Sequence, residues 1–332
     1  MLKLTAIWQD ESLAEREWIR ELFSPHISVH IYDGCREVVL DNSILIDSYL
    51  HARNKDYYRK FHGLNAWLLH LSDETYEGGC EVYDNFRGIF RNYWSAIFNP
   101  SRVMTFPLGY IAGISRAGYG KASDRTWLWS FLGGGGKASR PEMLQSLEQV
   151  TPHFRHVTDG SAPLPPLSRH KYEEVLRDSV FAPCPMGNVN LECFRIYEAL
   201  ECGSIPILER RTTLDYFRGL LGDHPLPTIS NWREAQQIIA TLSENRTDLD
   251  ALQRTCLDWW KNHKIDISGR IGNFLDNDSS ASQPFASWQH ALPGWQFFEL
   301  TRHHSLPAFG RRCKAQFSRL VSEGKLRKTY GR

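Results

Sequence analysis

SVFAPCPMGNVNLECFRIYEALECGSIPILE, residues 179–209, opens with a short apolar run, Val180 to Ala182, and passes into a Pro/Gly/Asn loop from Pro183 to Asn190. A helix-length segment, Leu191 to Glu201, is stopped by Gly203, where a left-handed C-cap favours glycine. A second apolar run, Ile205 to Leu208, completes a strand–loop–helix–strand unit, the pattern of parallel strands joined by a crossover helix. In such a unit the loop and the helix N-terminus lie at the carboxyl end of the strand. Free backbone N–H groups and the positive end of the helix dipole suit that spot to phosphate. Arg195 and Glu198 sit three apart on one helical face. A guanidinium neutralises a diphosphate, and a carboxylate accepts hydrogen bonds from both hydroxyls of a ribose. With Gly187 and Asn188 of the loop and Glu192 at the start of the helix segment, they outline a nucleoside-diphosphate site.

The CPMG loop, Arg195, Glu198 and the GSIPI strand occur together here, and the combination resembles the sugar-nucleotide-binding segment of exostosin-type glycosyltransferases (glycosyltransferase family 47). The YEALECGSIPI variant is most similar to the ribitol xylosyltransferase-like relatives in that group. The resemblance implies an α/β fold of the GT-B type, two Rossmann-like domains facing a cleft. It also implies transfer of a sugar from a nucleotide-diphosphate donor, expected to be a UDP-sugar, to a glycan hydroxyl with inversion. One departure stands out. Glu192 and Glu198 enclose five residues, closer than the paired glutamates of many retaining transferases, which weakens that analogy.

Composition agrees with a folded two-domain chain. Its 332 residues suffice for two separate cores, and 42% hydrophobic content with a mean hydropathy of −0.42 reads as soluble. No apolar run is long enough to span a bilayer. The chain enters LKLTAIW without a signal-peptide pattern, which reads as cytoplasmic, or as Golgi luminal if an N-terminal anchor has been removed. The seven cysteines form no CxxC pair and read as reduced thiols. Net charge is +1, but residues 311–332 carry eight Lys/Arg against Glu323 alone. Phe317, Leu320 and Val321 lie at helical spacing within them, so peripheral contact with an anionic membrane is expected there. The chain has no basic stripe interleaved with aromatics, so nucleic acid is not an expected partner.

Along the first part, strands are expected at 2–8, 27–32, 43–49, 66–71, 88–94 and 103–106, with a helix at 13–23. A further strand, 127–131, leads into Gly133 to Gly136 and a helix at 141–150 with Pro at its start. Helices are expected at 231–242 and 249–261, and irregular chain after Asp266. The domains are therefore drawn as 1–123 on the acceptor side, 124–265 for the nucleotide sugar, and 266–332 as a C-terminal extension with the basic tail.

HLSDE, residues 70–74, follows an apolar strand, and the carboxyl ends of parallel strands are where open α/β sheets place their chemistry. An inverting transferase needs a base for the acceptor hydroxyl, and Asp73 or Glu74 supplies a carboxylate there. HLSDE and FRNYW, residues 90–94, also look like segments of the ribitol xylosyltransferase-like relatives, in which Arg91 would meet the acceptor or the diphosphate. Phe106 to Gly109 reads as a turn in the cleft wall. The glycine run 133–136 lacks GxGxxG spacing and is not a dinucleotide fingerprint. Arg140, after it, is a further candidate for the diphosphate. Asp248-Leu249-Asp250 and Asp276-Asn277-Asp278 match DxD, but neither follows a buried strand, so no metal or other cofactor is expected. Leaving-group charge then falls to Arg195, Arg140 and a helix N-terminus. The alternative of another class is a non-catalytic glycan-binding protein on a degenerate GT-B scaffold, which a donor-hydrolysis assay separates from an enzyme.

Overall fold

The computed structural model describes residues 3–10, 13–32, 39–48, 50, 53–74, 76, 80–114, 118–160, 164–211, 215–277 and 284–285. The basic segment 311–332 and Asp278 lie outside these. The first unit contains β1 (Leu4–Trp8), α1 (Arg16–Phe23), β2 (Ile27–Tyr32), β3 (Ser43–Asp47), α2 (Lys55–Arg59), β4 (Ala66–His70), β5 (Gly88–Arg91) and β6 (Val103–Thr105). Its six strands are all parallel, in the order β2-β1-β3-β4-β5-β6. The second unit contains β7 (Trp127–Gly133), α3 (Arg140–Ser146), β8 (His153–Val157), α4 (Arg169–Arg177), β9 (Ser179–Cys184), α5 (Phe194–Glu201), β10 (Ile205–Glu209), α6 (Tyr216–Leu221), β11 (Thr228–Ile229), α7 (Trp232–Glu244) and α8 (Arg246–Leu275). Its five strands, again all parallel, run β11-β10-β9-β7-β8.

Both sheets reverse their winding once, the first between β1 and β3 and the second between β7 and β9. Crevices at the carboxyl ends of strands flanking such a reversal are where doubly wound sheets bind ligands. β3, β4, β5, β9 and β10 are buried at every position, as strands covered by helices on both faces must be. That double burial explains why short unbroken apolar runs, not alternation, announce them in the sequence.

The two units share one continuous apolar cluster, and α8 joins them. It begins on the second unit, where Asn245 caps it by accepting from the Thr247 and Asp248 amides. Asp250 accepts from the amide and hydroxyl of Ser123, so the boundary drawn at 123/124 falls on a turn tied to this helix. Further on, Trp260 stacks on Trp18 of α1 at 5.4 Å, and Lys264 bridges Glu21 and Glu201, one from each unit. Past Asp266, where irregular chain is expected from the sequence, α8 continues to Leu275. Ser268, Gly269 and Gly272 lower the intrinsic propensity of this stretch. Packing holds it helical instead: Ile267 and Ile271 are fully buried, and Phe274 meets Phe90 edge-on at 5.0 Å. The extension from 266 thus starts inside a helix. Five other elements, α2, β8, α4, α6 and β11, carry patterns too short or too polar to announce themselves.

Docking of α8 on the first unit is testable by stability. Phe274→Ala is expected to cost about 3–5 kcal/mol by loss of packing. Ile265→Ala, on the same helix but 63% exposed, is expected to stay within about 0.5 kcal/mol. Equal shifts of the urea midpoint in the two variants would contradict the docking.

Candidate active site

The carboxyl ends of the two sheets meet at the loop that follows β9. The backbone amides of Asn188, Val189 and Asn190 converge on one oxygen, Oε1 of Glu74, at 2.7, 2.8 and 3.2 Å, and the Asn188 side-chain amide donates to Oε2 at 3.0 Å. Successive amides curled around one acceptor form an anion-binding nest. Gly187 makes the close approach possible, because a Cβ there would lie 2.8 Å from Glu74 Oε1 and 3.2 Å from the carbonyls of Asn190 and Glu192. The loop expected to hold an anion therefore does so here, and the anion is a side chain of the other unit.

Two arginines converge on the end of β7, at the reversal point of the second sheet. Arg195 donates from Nη2 to the Leu132 carbonyl at 2.7 Å and lies 4.5 Å from the Phe131 ring centre. Arg140 donates from Nη1 to the Gly134 carbonyl at 2.8 Å. Burial, and then the nearby charge of Arg195, lowers the Arg140 pKa, whereas burial of Arg195 is outweighed by Tyr172, Cys193, Cys184 and Glu198, which raise its pKa, so the crowding falls on Arg140. Both Nε groups are buried and have no hydrogen-bond partner. A bound polyanion would satisfy both and relieve their repulsion. The Gly135 and Gly136 amides are already taken by Asp159, so the glycine run contributes shape and no free donor from these two.

Other expected residues are already held by protein partners. Glu198, expected at a ribose, is buried and accepts from Tyr172 at 2.5 Å and Arg169 at 3.3 Å. Glu192, expected at the donor, turns instead into the seam between the units. It accepts from the Leu108 amide at 2.5 Å, Tyr197 at 2.6 Å and Tyr216 at 2.9 Å, and burial pushes its carboxyl up to about 7. Leu108 belongs to the turn expected in the cleft wall. Arg91, expected to meet the acceptor or diphosphate, is wholly buried and spoken for by Asp73 at 3.2 Å, Tyr83 at 3.1 Å and the Asn92 carbonyl at 3.0 Å. Asp73 is thereby a partner in a buried ion pair, and Glu74 is the carboxylate of the two that faces the other unit. Of the two DxD matches, Asp248 and Asp250 sit in the first turns of α8, where Asp250 is already held by Ser123.

Sequence reading missed a ring of residues around Glu74. Ser72, Tyr76 and Tyr93 all adopt left-handed backbone, φ 58°, 49° and 59°, in the loops after β4 and β5. Such conformations cost about 1–3 kcal/mol each in non-glycine residues and gather at functional sites. Tyr76 accepts from the Asn190 side chain at 2.8 Å, and Ser72 donates to the buried Glu15 at 2.5 Å. Burial raises the Glu15 carboxyl. Glu15 follows β1, at the reversal point of the first sheet, and that position was its one available signal. Cys193, the N-cap residue of α5, has its thiol lowered to about 7, chiefly by its hydrogen bond with Cys184, with burial opposing and Arg195 and Arg140 assisting.

Comparison with known proteins bears on the family and the fold. Residues 114–278 match the family described as the RXYLT1 C-terminal domain. The chain is 30% identical over 125 residues to ribitol-5-phosphate xylosyltransferase 1 of Mus musculus, covering 33% of this chain and 28% of that protein. It is 29% identical over 126 residues to the Homo sapiens protein of that name, with the same coverage. The match thus spans under a third of those relatives' length. Among solved structures, an α1,3-fucosyltransferase with GDP-fucose superposes with a TM-score of 0.51 at 11% identity, over 85% of this chain and 93% of its own. An α-glucosyltransferase in complex with UDP and DNA gives 0.50 at 12% identity, over 82% and 99%. The fold is GT-B, and the chain is RXYLT1-like through its second unit, as the 179–209 motif implied.

The environment of Cys193 makes a pH-dependent expectation. Its thiolate fraction rises through a midpoint near 7, so iodoacetamide labelling, mapped by peptide mass spectrometry, should rise steeply between about pH 6 and 8. Cys202 and Cys256, pushed up to about 12 by burial, should stay unlabelled over that range. A Cys193 midpoint near its ordinary value of 9.0 would contradict the assigned contacts.

Proposed function

We propose that this chain transfers a glycosyl group from a nucleoside diphosphate sugar to an acceptor hydroxyl, with the second unit holding the donor and Glu74 acting as base. The observation that carries the reading is the Arg140–Arg195 pair, two crowded cations with unsatisfied buried N–H groups at the reversal point of the second sheet. A diphosphate is the ligand class that matches two such guanidiniums at the carboxyl end of parallel strands. In the proposed step the base takes the proton from the acceptor hydroxyl and the freed oxygen attacks the anomeric carbon. The bond from that carbon to the diphosphate breaks, and the nucleoside diphosphate leaves with the electron pair. Attack opposite the leaving group inverts the anomeric centre. The guanidiniums stabilise the charge that builds on the leaving oxygen, a role that in other transferases falls to a bound cation. Glu198, with Tyr172 and Arg169 around it, supports the ribose side.

UDP is the nucleotide proposed, and the names of the mouse and human relatives set the first substrates to try. Carried to this chain, they give an activated xylose as donor and ribitol 5-phosphate as acceptor.

Three substitutions test the assignment in one set of assays, calorimetry with UDP and transfer from UDP-xylose. Arg195→Ala is expected to weaken UDP binding by about 2–4 kcal/mol, as loss of a desolvated charge partner does. Glu74→Gln should keep UDP affinity and lower transfer by about 10²–10⁴-fold. Asp73→Asn should instead lower stability by about 3–5 kcal/mol, because it leaves Arg91 buried without its counter-charge. Wild-type UDP affinity in Arg195→Ala would overturn the donor site. Full turnover in Glu74→Gln would overturn the base.

A further inference from the structure

The loop that carries the amide nest begins and ends on a thiol. Cys184 is the last residue of β9 and Cys193 is the N-cap residue of α5, so residues 185–192 between them are the whole of that loop. Both thiols are free, Cys184 buried and Cys193 half-buried, and the two are hydrogen-bonded to each other. Cys184 Sγ lies 3.2 Å from the Ala182 carbonyl and Cys193 Sγ 4.0 Å from the Pro185 carbonyl, which places both sulfurs where β9 gives way to the loop. We propose that Cys184 and Cys193 form a thiol–disulfide site, which a low-molecular-weight disulfide oxidises to an intramolecular disulfide that weakens nucleotide binding. The link to the nucleotide rests on the reading of Arg140 and Arg195 as a diphosphate site.

Position gives the two sulfurs different roles. Cys193 is the one that solvent reaches. Its thiolate is favoured first by the hydrogen bond with Cys184 and also by the charges of Arg195 and Arg140, with burial opposing. Cys184 is fully buried beside it, and burial keeps its thiol protonated. Attack therefore starts at Cys193. Its thiolate bonds to one sulfur of the small disulfide and displaces the other as a thiolate, leaving a mixed disulfide. Cys184 then loses its proton and attacks the Cys193 sulfur, and the second half of the reagent departs. The pair gives up two electrons, and the small disulfide is reduced to two thiols that carry both protons.

Closing that bond moves groups of the donor site. Bonded sulfurs lie about 2 Å apart, well inside hydrogen-bonding distance, so the first turn of α5 is drawn toward the end of β9. Arg195 belongs to that turn, and its Nη2 donates to the Leu132 carbonyl at 2.7 Å. A shift of the turn takes the guanidinium off the place it shares with Arg140. Asn188, Val189 and Asn190, whose amides hold Glu74, lie inside the ring that the disulfide closes. Linkage then runs both ways: a nucleotide that binds the dithiol form more tightly opposes its oxidation by the same factor.

Peptide mapping of the full chain after equilibration in glutathione buffers tests this. Trypsin releases residues 178–195 as one peptide, and both cysteines are in it. As the share of glutathione disulfide rises, this peptide should lose both alkylatable thiols together and gain an internal disulfide, with no glutathione retained. Cys184→Ala should stop at a glutathione adduct on Cys193, and Cys193→Ser should leave Cys184 unmodified. Calorimetry should show the oxidised protein binding UDP about tenfold more weakly than the reduced one, with dithiothreitol restoring the affinity. Saturating UDP should then raise the midpoint potential of the pair by about 30 mV, the equivalent of that factor for a two-electron couple. A peptide that stays doubly alkylated at every glutathione ratio, or that ends as a stable glutathione adduct in the wild-type protein, overturns the site. Equal UDP affinity in the two forms overturns its link to the donor. Failure of UDP to bind the reduced wild-type protein would instead sink the transferase reading, and the internal disulfide would still support the thiol pair.

Discussion

One carboxylate joins the two halves of this molecule. Glu74 leaves the end of β4 and enters the amide nest of residues 188–190 at the end of β9, so the carboxyl edges of both sheets share a single anion. Everything nearby is arranged around that contact. Glycine at 187 admits the oxygen, the Asp73–Arg91 pair fixes the chain just before it, and three left-handed residues aim the loops that flank it. Strain of that kind persists only where surrounding contacts over-determine it. Here the Ser72–Glu15 and Tyr76–Asn190 hydrogen bonds help to do so.

The seam is held at two further points, and they differ in character. Helix α8 is an apolar clamp, with Trp260 on Trp18 and Phe274 on Phe90. Glu192 is a polar one, a buried carboxyl that closes on the Leu108 amide and two tyrosines. Its pKa is raised above that of an exposed carboxyl, so folding favours its protonated form. The stability it contributes is complete below the ordinary value of 4.5 and is lost as pH rises through about 7. That contribution therefore favours the acid side, while Arg140 and Arg195 keep their charge throughout that window.

Much of this was legible in the residues. The 179–209 segment alone specifies strand, loop, helix and strand, and the positions of Arg195 and Arg140 after apolar runs bring both to one strand end. Local pattern carries that much because each feature depends on neighbours within a few residues. The rest depends on contacts across the chain. Nothing near Glu74 in sequence announces a nest 114 residues away, and FRNYW does not reveal that Arg91 points inward to Asp73. Glu192 reads as a donor ligand because it adjoins the CPMG loop, but the extended backbone of Cys193 at the start of α5 leaves it outside the helix and turned to the seam. The last ten residues of α8 are helical through tertiary packing against α1 and β5, which overrides their glycines and serine.

Hydrogen exchange at the loop after β9 tests the central contact most directly. If Glu74 holds the amides of Asn188, Val189 and Asn190, a peptide covering 186–192 should be protected in the wild-type protein. It should lose that protection in Glu74→Ala, with the β9 strand just before it unchanged. Equal protection of that peptide in both proteins would contradict the account, because the amides would then be held by something other than the carboxylate of the first unit.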